Sequence, residues 1–276
     1  MIDARTKLLA LIGHPVAHSL SPSFQNAALR HLGLPFVYLA FDVPPEKLEK
    51  AVEAFRVLGV SGFNVTVPHK EAVVSLLDGL EEEARILQAV NTVVNREGKL
   101  FGYNTDAYGF RESLRWEGVE VSGKRFLLLG AGGAAKSVLF VLAREGAEKV
   151  YIMNRTLHRA EALSAWARDT LGLPCEALPW DFGALPLVHG IINATSLGLK
   201  GEIIPVPWEA LPALEVVVDL VYRREGTPLV REAGKRGLKS FDGKRMLLYQ
   251  GAKSFLLFTG VPAPLSVMEE ALFGGS

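Results

Sequence analysis

The sequence is poor in cysteine and carries no net charge. Its 276 residues include one cysteine, Cys175, and 30 basic side chains balance 30 acidic ones. One cysteine cannot form an internal disulfide or a thiolate metal cage, which is typical of a reducing compartment and predicts a cytoplasmic location. Without net charge, no overall field attracts nucleic acid or an anionic membrane surface. We therefore expect small-molecule chemistry, with no nucleic-acid or membrane partner.

Long hydrophobic runs are also absent. No stretch approaches the roughly 18 uninterrupted apolar residues of a membrane span. Residues 246–258 come nearest, but Gln250 and Lys253 interrupt them. The apolar stretch at residues 7–13 predicts a first strand rather than a secretory signal, because no cleavage site follows it. Hydrophobic residues still make up 49% of the chain, enough for about two domains with their own cores.

Strand-like and helix-like segments alternate in the first part of the chain. The predicted strands lie at residues 7–13, 36–42 and 62–67, and the predicted helices at 21–33, at 45–58 and from 69 onward. Ser21 is expected to cap the first helix, and Gly33 to end it. Residues 91–104 predict a hairpin with its turn at 96–98. This order predicts an α/β fold with a mainly parallel, mixed sheet.

A second β/α series begins at Lys124. Its predicted strands lie at residues 124–130, 149–154, 188–195 and 215–222, and its predicted helices at 134–145 and 157–170, after a helix at 106–116. This series predicts a doubly wound, Rossmann-type domain. Helical spacing in residues 243–273 predicts a terminal segment that returns to the first domain. We therefore expect a substrate domain at residues 1–105 and 244–276, and a nucleotide-binding domain at 106–243.

The turn after residue 129 carries the most informative local motif. Gly130, Gly132 and Ala135 match G-x-G-x-x-A between a predicted strand and a predicted helix. Gly130 permits the tight turn, Gly132 lets a pyrophosphate approach the backbone, and a small residue at 135 lets helix and strand pack closely. The pattern predicts dinucleotide binding at the helix N-terminus.

The end of the next strand indicates which dinucleotide is bound. An NAD-binding domain usually has Asp or Glu there, to bind the ribose hydroxyls. This sequence instead has Asn154, Arg155 and Thr156, with Arg159 one turn later. Guanidinium groups pair well with a 2′-phosphate, so these residues favour NADP.

A nucleotide hydrolase is a rival interpretation of the same turn. Residues 130–137 are one residue away from the P-loop pattern, and Asp219 follows an apolar strand, as a magnesium-binding Asp would. Against this, Ala135 stands where the P-loop needs glycine to wrap the phosphates. Binding of NADPH rather than magnesium-ATP would separate the two.

Polar clusters in the predicted loops of the first domain form the candidate substrate site. They supply hydroxyls, amides, one cation and one carboxylate, which suit a small, polyhydroxylated, anionic ligand. The residues are Ser19, Ser21, Asn64, Thr66, Lys70, Asn91 and Asp106. His69 is a second candidate acid or base, less favoured than Lys70. His14 and His18 do not predict a metal site, because Pro15 prevents a regular helix between them.

The chain resembles the shikimate dehydrogenase family over nearly its whole length. The matching motifs, in order, are HSLSP at 18–22, NVTVPHK at 64–70, VNT at 90–92, NTD at 104–106, GAGGA at 130–134, NRT at 154–156, NATS at 193–196, and Gln250. The resemblance implies reversible NADPH-dependent reduction of 3-dehydroshikimate to shikimate, in aromatic amino-acid biosynthesis. It also implies two α/β domains flanking a cleft.

The resemblance also implies roles for individual residues. Lys70 and Asp106 would be the catalytic pair. The substrate would meet Ser19, Ser21, Asn64, Thr66, Asn91, Tyr222 and Gln250. The coenzyme would meet Gly130, Ala131, Gly132, Gly133, Ala134, Asn154, Arg155, Thr156 and Arg159, with backbone contacts at Leu220 and Gly243. This chain departs from the common family pattern at His69, Lys136 and Gly251.

Two further functions are open at this point. One is a quinate/shikimate dehydrogenase that prefers NAD, which the missing carboxylate after the second strand disfavours. The other is a non-catalytic NADP-binding sensor, which the presence of both Lys70 and Asp106 disfavours. We expect the protein to be a monomer or a homodimer.

Overall fold

A computed structural model describes residues 2–274 of the protein. They divide into two compact units, one made of the residues up to Gly109 and from Leu248 onward, the other of Phe110–Leu247. Both divisions fall a few residues after the predicted domain limits.

The described residues form twelve strands and nine α-helices. The strands are β1 (Lys7–Gly13), β2 (Phe36–Asp42), β3 (Gly62–Val65), β4 (Gly79–Leu80), β5 (Thr92–Arg96), β6 (Lys99–Tyr103), β7 (Arg125–Leu129), β8 (Lys149–Met153), β9 (Cys175–Leu178), β10 (Gly190–Asn193), β11 (Val216–Asp219) and β12 (Lys239–Asp242). The helices are α1 (Ser21–His31), α2 (Leu48–Val57), α3 (Glu82–Leu87), α4 (Asp106–Trp116), α5 (Gly133–Arg144), α6 (Leu157–Leu171), α7 (Pro228–Lys235), α8 (Lys244–Thr259) and α9 (Leu265–Phe273).

The first unit contains a mixed six-stranded sheet in the order β2-β1-β3-β5-β6-β4. β1 runs parallel to β2 and β3, whereas β5 is antiparallel to both β3 and β6. The predicted hairpin is therefore confirmed. Its turn contains Glu97 and Gly98, both with positive φ, as tight two-residue hairpin turns require.

The core of the first unit is apolar and aromatic. Phe55 of α2 contacts Phe41 and Phe63 edge-on, with ring centroids 5.5 and 5.2 Å apart. The last part of α8 also belongs to this unit, where Phe258 packs on the backbone of Gly62. The prediction that the terminal segment returns to the first domain is thus confirmed.

The second unit contains a six-stranded sheet in the order β12-β11-β10-β7-β8-β9, with every neighbouring pair parallel. β10, the fourth strand along the chain in this sheet, pairs with β7, the first. This order is that of a Rossmann fold, in which ligands bind beyond the carboxyl ends of the strands where the order reverses. The predicted fold class is confirmed.

Two local predictions were wrong, and two short strands were not predicted. Leu20, not Ser21, is the N-cap of α1, and its helical backbone puts Ser21 in the first turn. The helix expected from residue 69 is a 3₁₀-helix at Ala72–Leu76, because two adjacent valines there disfavour an α-helix. β9 and β12 were not predicted, since four-residue strands leave a weak periodic signal.

Within residues 2–274, no helix has both the length and the apolar character that crossing a membrane requires.

Candidate active site

Lys70 and Asp106 are in direct contact in the first unit. Lys70 Nζ lies 2.6 Å from Asp106 Oδ2, and the two side chains are 20% and 9% exposed. An ammonium group has three N–H donors. Across residues 2–274, Asp106 is the only hydrogen-bond partner of Lys70 Nζ. Two charged N–H groups of Lys70 are therefore left for a ligand.

Asp106 is held by its other carboxylate oxygen and by its backbone. Asn91 Nδ2 donates to Asp106 Oδ1 at 2.8 Å, and the backbone N–H of Asp106 donates to Asn104 Oδ1. Asp106 is also the first residue of α4, where the helix dipole favours a negative charge. The carboxylate that faces Lys70 is therefore fixed in orientation.

A buried cluster of hydroxyl and amide groups packs behind this pair. Asn91 Oδ1 accepts from the backbone N–H of Thr105, and Asn91 Nδ2 donates to Thr105 Oγ1 at 2.9 Å. Thr105 Oγ1 is 3.1 Å from Ser254 Oγ on α8, and Thr92 Oγ1 is 2.8 Å from it. Gln250 Oε1, one turn earlier on α8, lies 3.4 Å from Asn91 Nδ2. We call Asn64, Asn91, Thr92, Thr105 and Ser254 the hydroxyl–amide cluster.

Asn64 and Thr66 have different surroundings. Asn64 is 7% exposed, and both ends of its amide are hydrogen-bonded within the unit. β3 ends at Val65, so Thr66 lies just beyond it, half-buried against Gly13, which has no side chain to block it. Of the two, the structure leaves Thr66 more accessible to a ligand.

Ser19 and Ser21 lie at the start of α1. The backbone N–H of Ser21 donates to Ser19 Oγ at 3.2 Å. Ser21 is buried and Ser19 is half-buried. Ser21 is thus fixed by packing, and Ser19 is accessible from solvent.

The histidines near the site have structural partners. His69 is 1% exposed, and its Nε2 lies 2.6 Å from the Val43 carbonyl oxygen, to which it donates. This bond occupies one of the two ring nitrogens and, with the burial of the ring, supports a structural role for His69. His14 Nδ1 lies 2.9 Å from Asp42 Oδ1. In the part of the chain that the structure describes, no three His, Cys, Asp or Glu side chains form a possible metal site.

The glycine-rich turn of the second unit joins β7 to α5. Gly130 has φ +105°, and a Cβ there would lie 3.0 Å from the Ala194 backbone. Both the backbone conformation and the lack of space therefore favour glycine at this position. Gly132 is the N-cap of α5, and no atom lies within 4 Å of a Cβ placed at Gly132 or Gly133. Ala135 is fully buried. The turn thus presents open backbone at a helix N-terminus, a geometry that fits a pyrophosphate.

The predicted phosphate-binding residues follow β8. Asn154 Nδ2 donates to the Thr156 carbonyl oxygen at 2.9 Å, and Thr156 is the N-cap of α6. Arg155 and Arg159 are exposed. No carboxylate among residues 2–274 forms an ion pair with either arginine. Two uncompensated guanidinium groups therefore lie beside the turn, as a 2′-phosphate requires.

Asp219 does not provide a magnesium site. Its carboxylate is fully buried and accepts hydrogen bonds from Asn193 Nδ2, Thr227 Oγ1 and the Val221 backbone N–H. Burial raises the pKa of Asp219 to about 6. Because protein donors occupy both oxygens, no face is left for a cation. Asp219 therefore gives no support to the interpretation of the chain as a nucleotide hydrolase.

Leu220 and Gly243, the predicted backbone contacts, lie against each other. A Cβ at Gly243 would be 2.1 Å from the Leu220 carbonyl oxygen, so only glycine fits there. Tyr222 follows in the same loop, and burial raises the pKa of its phenol. Tyr222 belongs to the second unit, apart from the other predicted substrate residues, and its contact with a substrate stays a prediction.

Sequence reasoning missed four polar residues. Thr92 and Thr105 stand inside the VNT and NTD motifs and could have been included on that basis. Ser254 is four residues after Gln250 on one helix face, a spacing that was a usable signal. Tyr38, whose hydroxyl bonds Asn64, lies in an apolar strand that carries no such signal.

Family models match three segments of the chain, and a curated relative matches almost all of it. Residues 11–93 match the shikimate dehydrogenase substrate binding domain, 114–175 the shikimate/quinate 5-dehydrogenase family, and 243–273 the shikimate 5′-dehydrogenase C-terminal domain. The shikimate dehydrogenase (NADP⁺) of Rubrobacter xylanophilus is 46% identical over 284 residues, covering 99% of this chain and 98% of that protein.

Solved structures are similar to this chain over nearly its whole length. A shikimate dehydrogenase crystallised in complex with NADP⁺ is 41% identical, with a TM-score of 0.92 and coverage of 99% of this chain and 97% of that one. The Thermus thermophilus shikimate 5-dehydrogenase, crystallised with NADP(H) and shikimate, is 43% identical, with a TM-score of 0.85 and coverage of 97% and 98%.

Proposed function

This chain belongs to the shikimate dehydrogenase family, and we propose that Lys70 carries the proton in its reaction while Asp106 orients both Lys70 and the substrate. The enzyme is an NADP-dependent oxidoreductase acting on a CH–OH group of the shikimate pathway, and it interconverts 3-dehydroshikimate and shikimate. The observation that carries the catalytic assignment is the 2.6 Å contact between Lys70 Nζ and Asp106 Oδ2.

NADPH supplies the hydride in the reducing direction. The open backbone at Gly132 and Gly133 fits its pyrophosphate, and Arg155 with Arg159 would pair with the 2′-phosphate. These groups hold the coenzyme through backbone N–H groups and cations. The site discriminates against NADH because no carboxylate follows β8 to accept the ribose hydroxyls.

Lys70 acts on the oxygen of the substrate carbonyl. As that oxygen gains negative charge, the ammonium group donates a proton to it, a contribution typically worth roughly 10²- to 10⁴-fold in rate. Asp106 keeps Nζ in one place and accepts a hydrogen bond from a substrate hydroxyl, which raises the share of productive encounters. In the oxidation of shikimate the neutral amine takes the proton instead, so that direction should accelerate at alkaline pH.

We assign the substrate to the first unit and the coenzyme to the second. The proposed substrate contacts are Ser19, Ser21, Asn64, Thr66, Asn91, Gln250 and Tyr222. Six of these seven lie in the first unit, with Lys70 and Asp106. The hydroxyl–amide cluster supports this assignment, because polar groups at this density suit a polyhydroxylated ring better than an apolar ligand.

The test follows NADPH absorbance after addition of 3-dehydroshikimate to wild type, Lys70→Ala and Lys50→Ala. Lys50 is an exposed lysine of α2 and serves as the matched control. We expect Lys70→Ala to lose at least about 100-fold in kcat with KM for 3-dehydroshikimate little changed, because proton transfer is lost but binding is kept. Lys50→Ala should match wild type. If Lys70→Ala kept most of its turnover, another group would carry the proton.

An NAD-preferring quinate/shikimate dehydrogenase is the remaining alternative within the family. Arg155 and Arg159 argue against it, because their charges would have no phosphate to pair with. Comparison of kcat/KM for NADPH and NADH, with shikimate and with quinate, separates the two. A preference for NADH would overturn the proposed coenzyme site.

We also propose a cytoplasmic location and a monomeric or homodimeric state. The lone cysteine, Cys175, supports the location, because it is buried and cannot form an internal disulfide, as is typical of proteins from a reducing compartment. Cell fractionation and light scattering of the purified enzyme test the two statements.

A further inference from the structure

Tyr38 is the third residue of β2 and is completely buried. Its hydroxyl oxygen is 2.8 Å from Asn64 Oδ1. A buried phenol normally requires a hydrogen-bond partner, because an unpaired hydroxyl in an apolar environment is costly. None of the motifs that mark the candidate site contains Tyr38.

The direction of the bond between Tyr38 and Asn64 follows from the other contacts of Asn64. Asn64 Nδ2 lies within 3.0 Å of three oxygens, which belong to Asn91, Thr92 and Ser254. The amide nitrogen therefore faces the hydroxyl–amide cluster, and the amide oxygen faces Tyr38. The phenol must donate to that oxygen.

Burial raises the pKa of the Tyr38 phenol, which keeps it protonated and a donor at neutral pH. Tyr38 thus forms a bridge from β2 to the amide oxygen of Asn64 on β3. No other donor reaches that oxygen among residues 2–274.

The bridge continues from Asn64 to the catalytic carboxylate. Asn64 Nδ2 meets Ser254 Oγ at 3.0 Å, and Ser254 Oγ is 3.1 Å from Thr105 Oγ1. Asn91 Nδ2 then lies 2.9 Å from Thr105 Oγ1 and 2.8 Å from Asp106 Oδ1. One uninterrupted series of buried hydrogen bonds joins Tyr38 to Asp106.

The backbone of Tyr38 is fixed as firmly as its hydroxyl. Asn26 of α1 donates from Nδ2 to the Tyr38 carbonyl oxygen at 2.8 Å and accepts at Oδ1 from the Tyr38 N–H at 2.9 Å. Asn26 therefore attaches α1 to the backbone of Tyr38 at two points. The position of the helix that carries Ser21 depends on this residue.

We propose that Tyr38 is a positioning residue for substrate binding, whose hydroxyl holds the Asn64 amide in the arrangement that the substrate meets. The inference rests on the proposed function and deepens it. Tyr38 touches neither substrate nor coenzyme and acts only through Asn64. It therefore affects ground state and transition state alike, and its loss should raise KM for shikimate without lowering kcat.

The test is Tyr38→Phe, which keeps the ring and removes the hydroxyl. The matched control is Tyr103→Phe in the same sheet, since the Tyr103 hydroxyl bonds only Arg96, at 2.7 Å, outside the cluster. We expect KM for shikimate to rise about tenfold in Tyr38→Phe, because the buried amide oxygen of Asn64 loses its donor. Its kcat and its KM for NADP⁺ should stay within about twofold of wild type, and Tyr103→Phe should keep all three constants.

A double-mutant cycle with Asn64→Ala tests the route of the effect. If Tyr38 acts through Asn64, the rise in KM of the double variant should be smaller than the product of the two single effects. A rise equal to the product would show that the two side chains act independently, which would overturn the bridge to Asn64.

The remaining outcomes are also decisive. Thermal melting fixes an assay temperature at which each variant is folded. A lower melting temperature in Tyr38→Phe with an unchanged KM would show a purely structural hydroxyl and overturn the positioning role alone. Absence of shikimate turnover in wild type would contradict the proposed function and this inference with it.

Discussion

In the first unit, Lys70 and Asp106 rest on buried side chains that bond one another, whereas in the second unit the coenzyme turn consists of open backbone and exposed cations. Asn91, Thr105 and Ser254 are each no more than 3% exposed. By contrast, a Cβ at Gly132 would have no atom within 4 Å, and Arg155 is exposed just before α6.

The difference shows two ways to recognise a ligand. A hydroxylated ring is recognised by donors and acceptors at fixed positions, which requires side chains locked by their neighbours. A pyrophosphate and a 2′-phosphate are recognised by charge and by backbone N–H groups, which need space and a helix N-terminus. The first kind of site should be sensitive to single atoms, and the second to charge and ionic strength.

The largest effect is expected from the exposed cations. Arg155→Ala combined with Arg159→Ala should raise KM for NADPH about 300-fold, because two charge-assisted contacts to the 2′-phosphate are lost. KM for NADH should stay unchanged, since NADH has no such phosphate. Steady-state kinetics at low and high salt measure this, and salt should weaken NADPH binding only while the arginines are present.

Arg30→Ala, at an exposed arginine of α1, is the control for general charge effects. If the double variant kept wild-type preference for NADPH, the coenzyme site would not depend on these cations. The two units would then not differ in their use of exposed charge.

An intermediate effect is expected at Asp219, where the second unit has a buried cluster of the same kind as the first. Burial raises its pKa from 3.8 to about 6, so the folded state holds this proton more tightly than the unfolded state. The contribution of Asp219 to stability should therefore be highest below about pH 4, fall by about 3 kcal/mol as pH rises to about 6, and then stay level.

Urea unfolding of wild type and Asp219→Asn from about pH 4 to about pH 8 isolates this contribution as the difference between the two proteins. Asn keeps the shape and an acceptor oxygen for Asn193 and Val221. A difference that did not change with pH would mean that the Asp219 carboxyl titrates normally. The groups bonded to Asp219 would then be better solvated than the hydroxyl–amide cluster of the first unit.

The smallest effect is expected when a single methyl group is added at one glycine of each unit. Gly251 of α8 faces Phe24, and a Cβ there would lie 2.4 Å from the ring, so Gly251→Ala should overpack the core by about 1–3 kcal/mol. The higher helix propensity of alanine offsets about 1 kcal/mol of this cost, so the free energy of unfolding should fall by about 1 kcal/mol. Gly133→Ala, in open space on α5, should be neutral or stabilising.

Urea midpoints of the two alanine variants measure the contrast. Phe24→Leu should relieve the crowding when combined with Gly251→Ala, because a smaller side chain frees the space. Equal midpoints for Gly251→Ala and Gly133→Ala would show that the α1–α8 contact is as loosely packed as the coenzyme turn.

Short-range patterns predicted the elements that depend on local chemistry. The bounds of β1 and α4 and the hairpin around Glu97 and Gly98 follow from alternation, helical spacing and turn residues, all of which lie within one segment. The glycine turn was predictable for the same reason. Gly130 has to be glycine because its φ is +105°, and the strand-turn-helix pattern around it lies within a short stretch of sequence.

Long-range contacts account for what was missed. The bond from Asn64 to Ser254 joins residues 190 positions apart, and the bond from Tyr38 to Asn64 joins residues 26 apart. No periodicity signals such partners, since they are chosen by tertiary packing. His69 shows the converse case, because a histidine beside Lys70 suggests chemistry, but Val43 of another segment binds its ring nitrogen.

The side chain of Asn26 also affects how separate molecules meet. β2 is the outermost strand of its sheet, and the free backbone groups of such a strand can add a strand from another copy and start aggregation. Asn26 occupies both the N–H and the C=O of Tyr38, partway along β2. An amide side chain thereby takes the place of an incoming chain, and removing it by Asn26→Ala would open the sheet to intermolecular pairing.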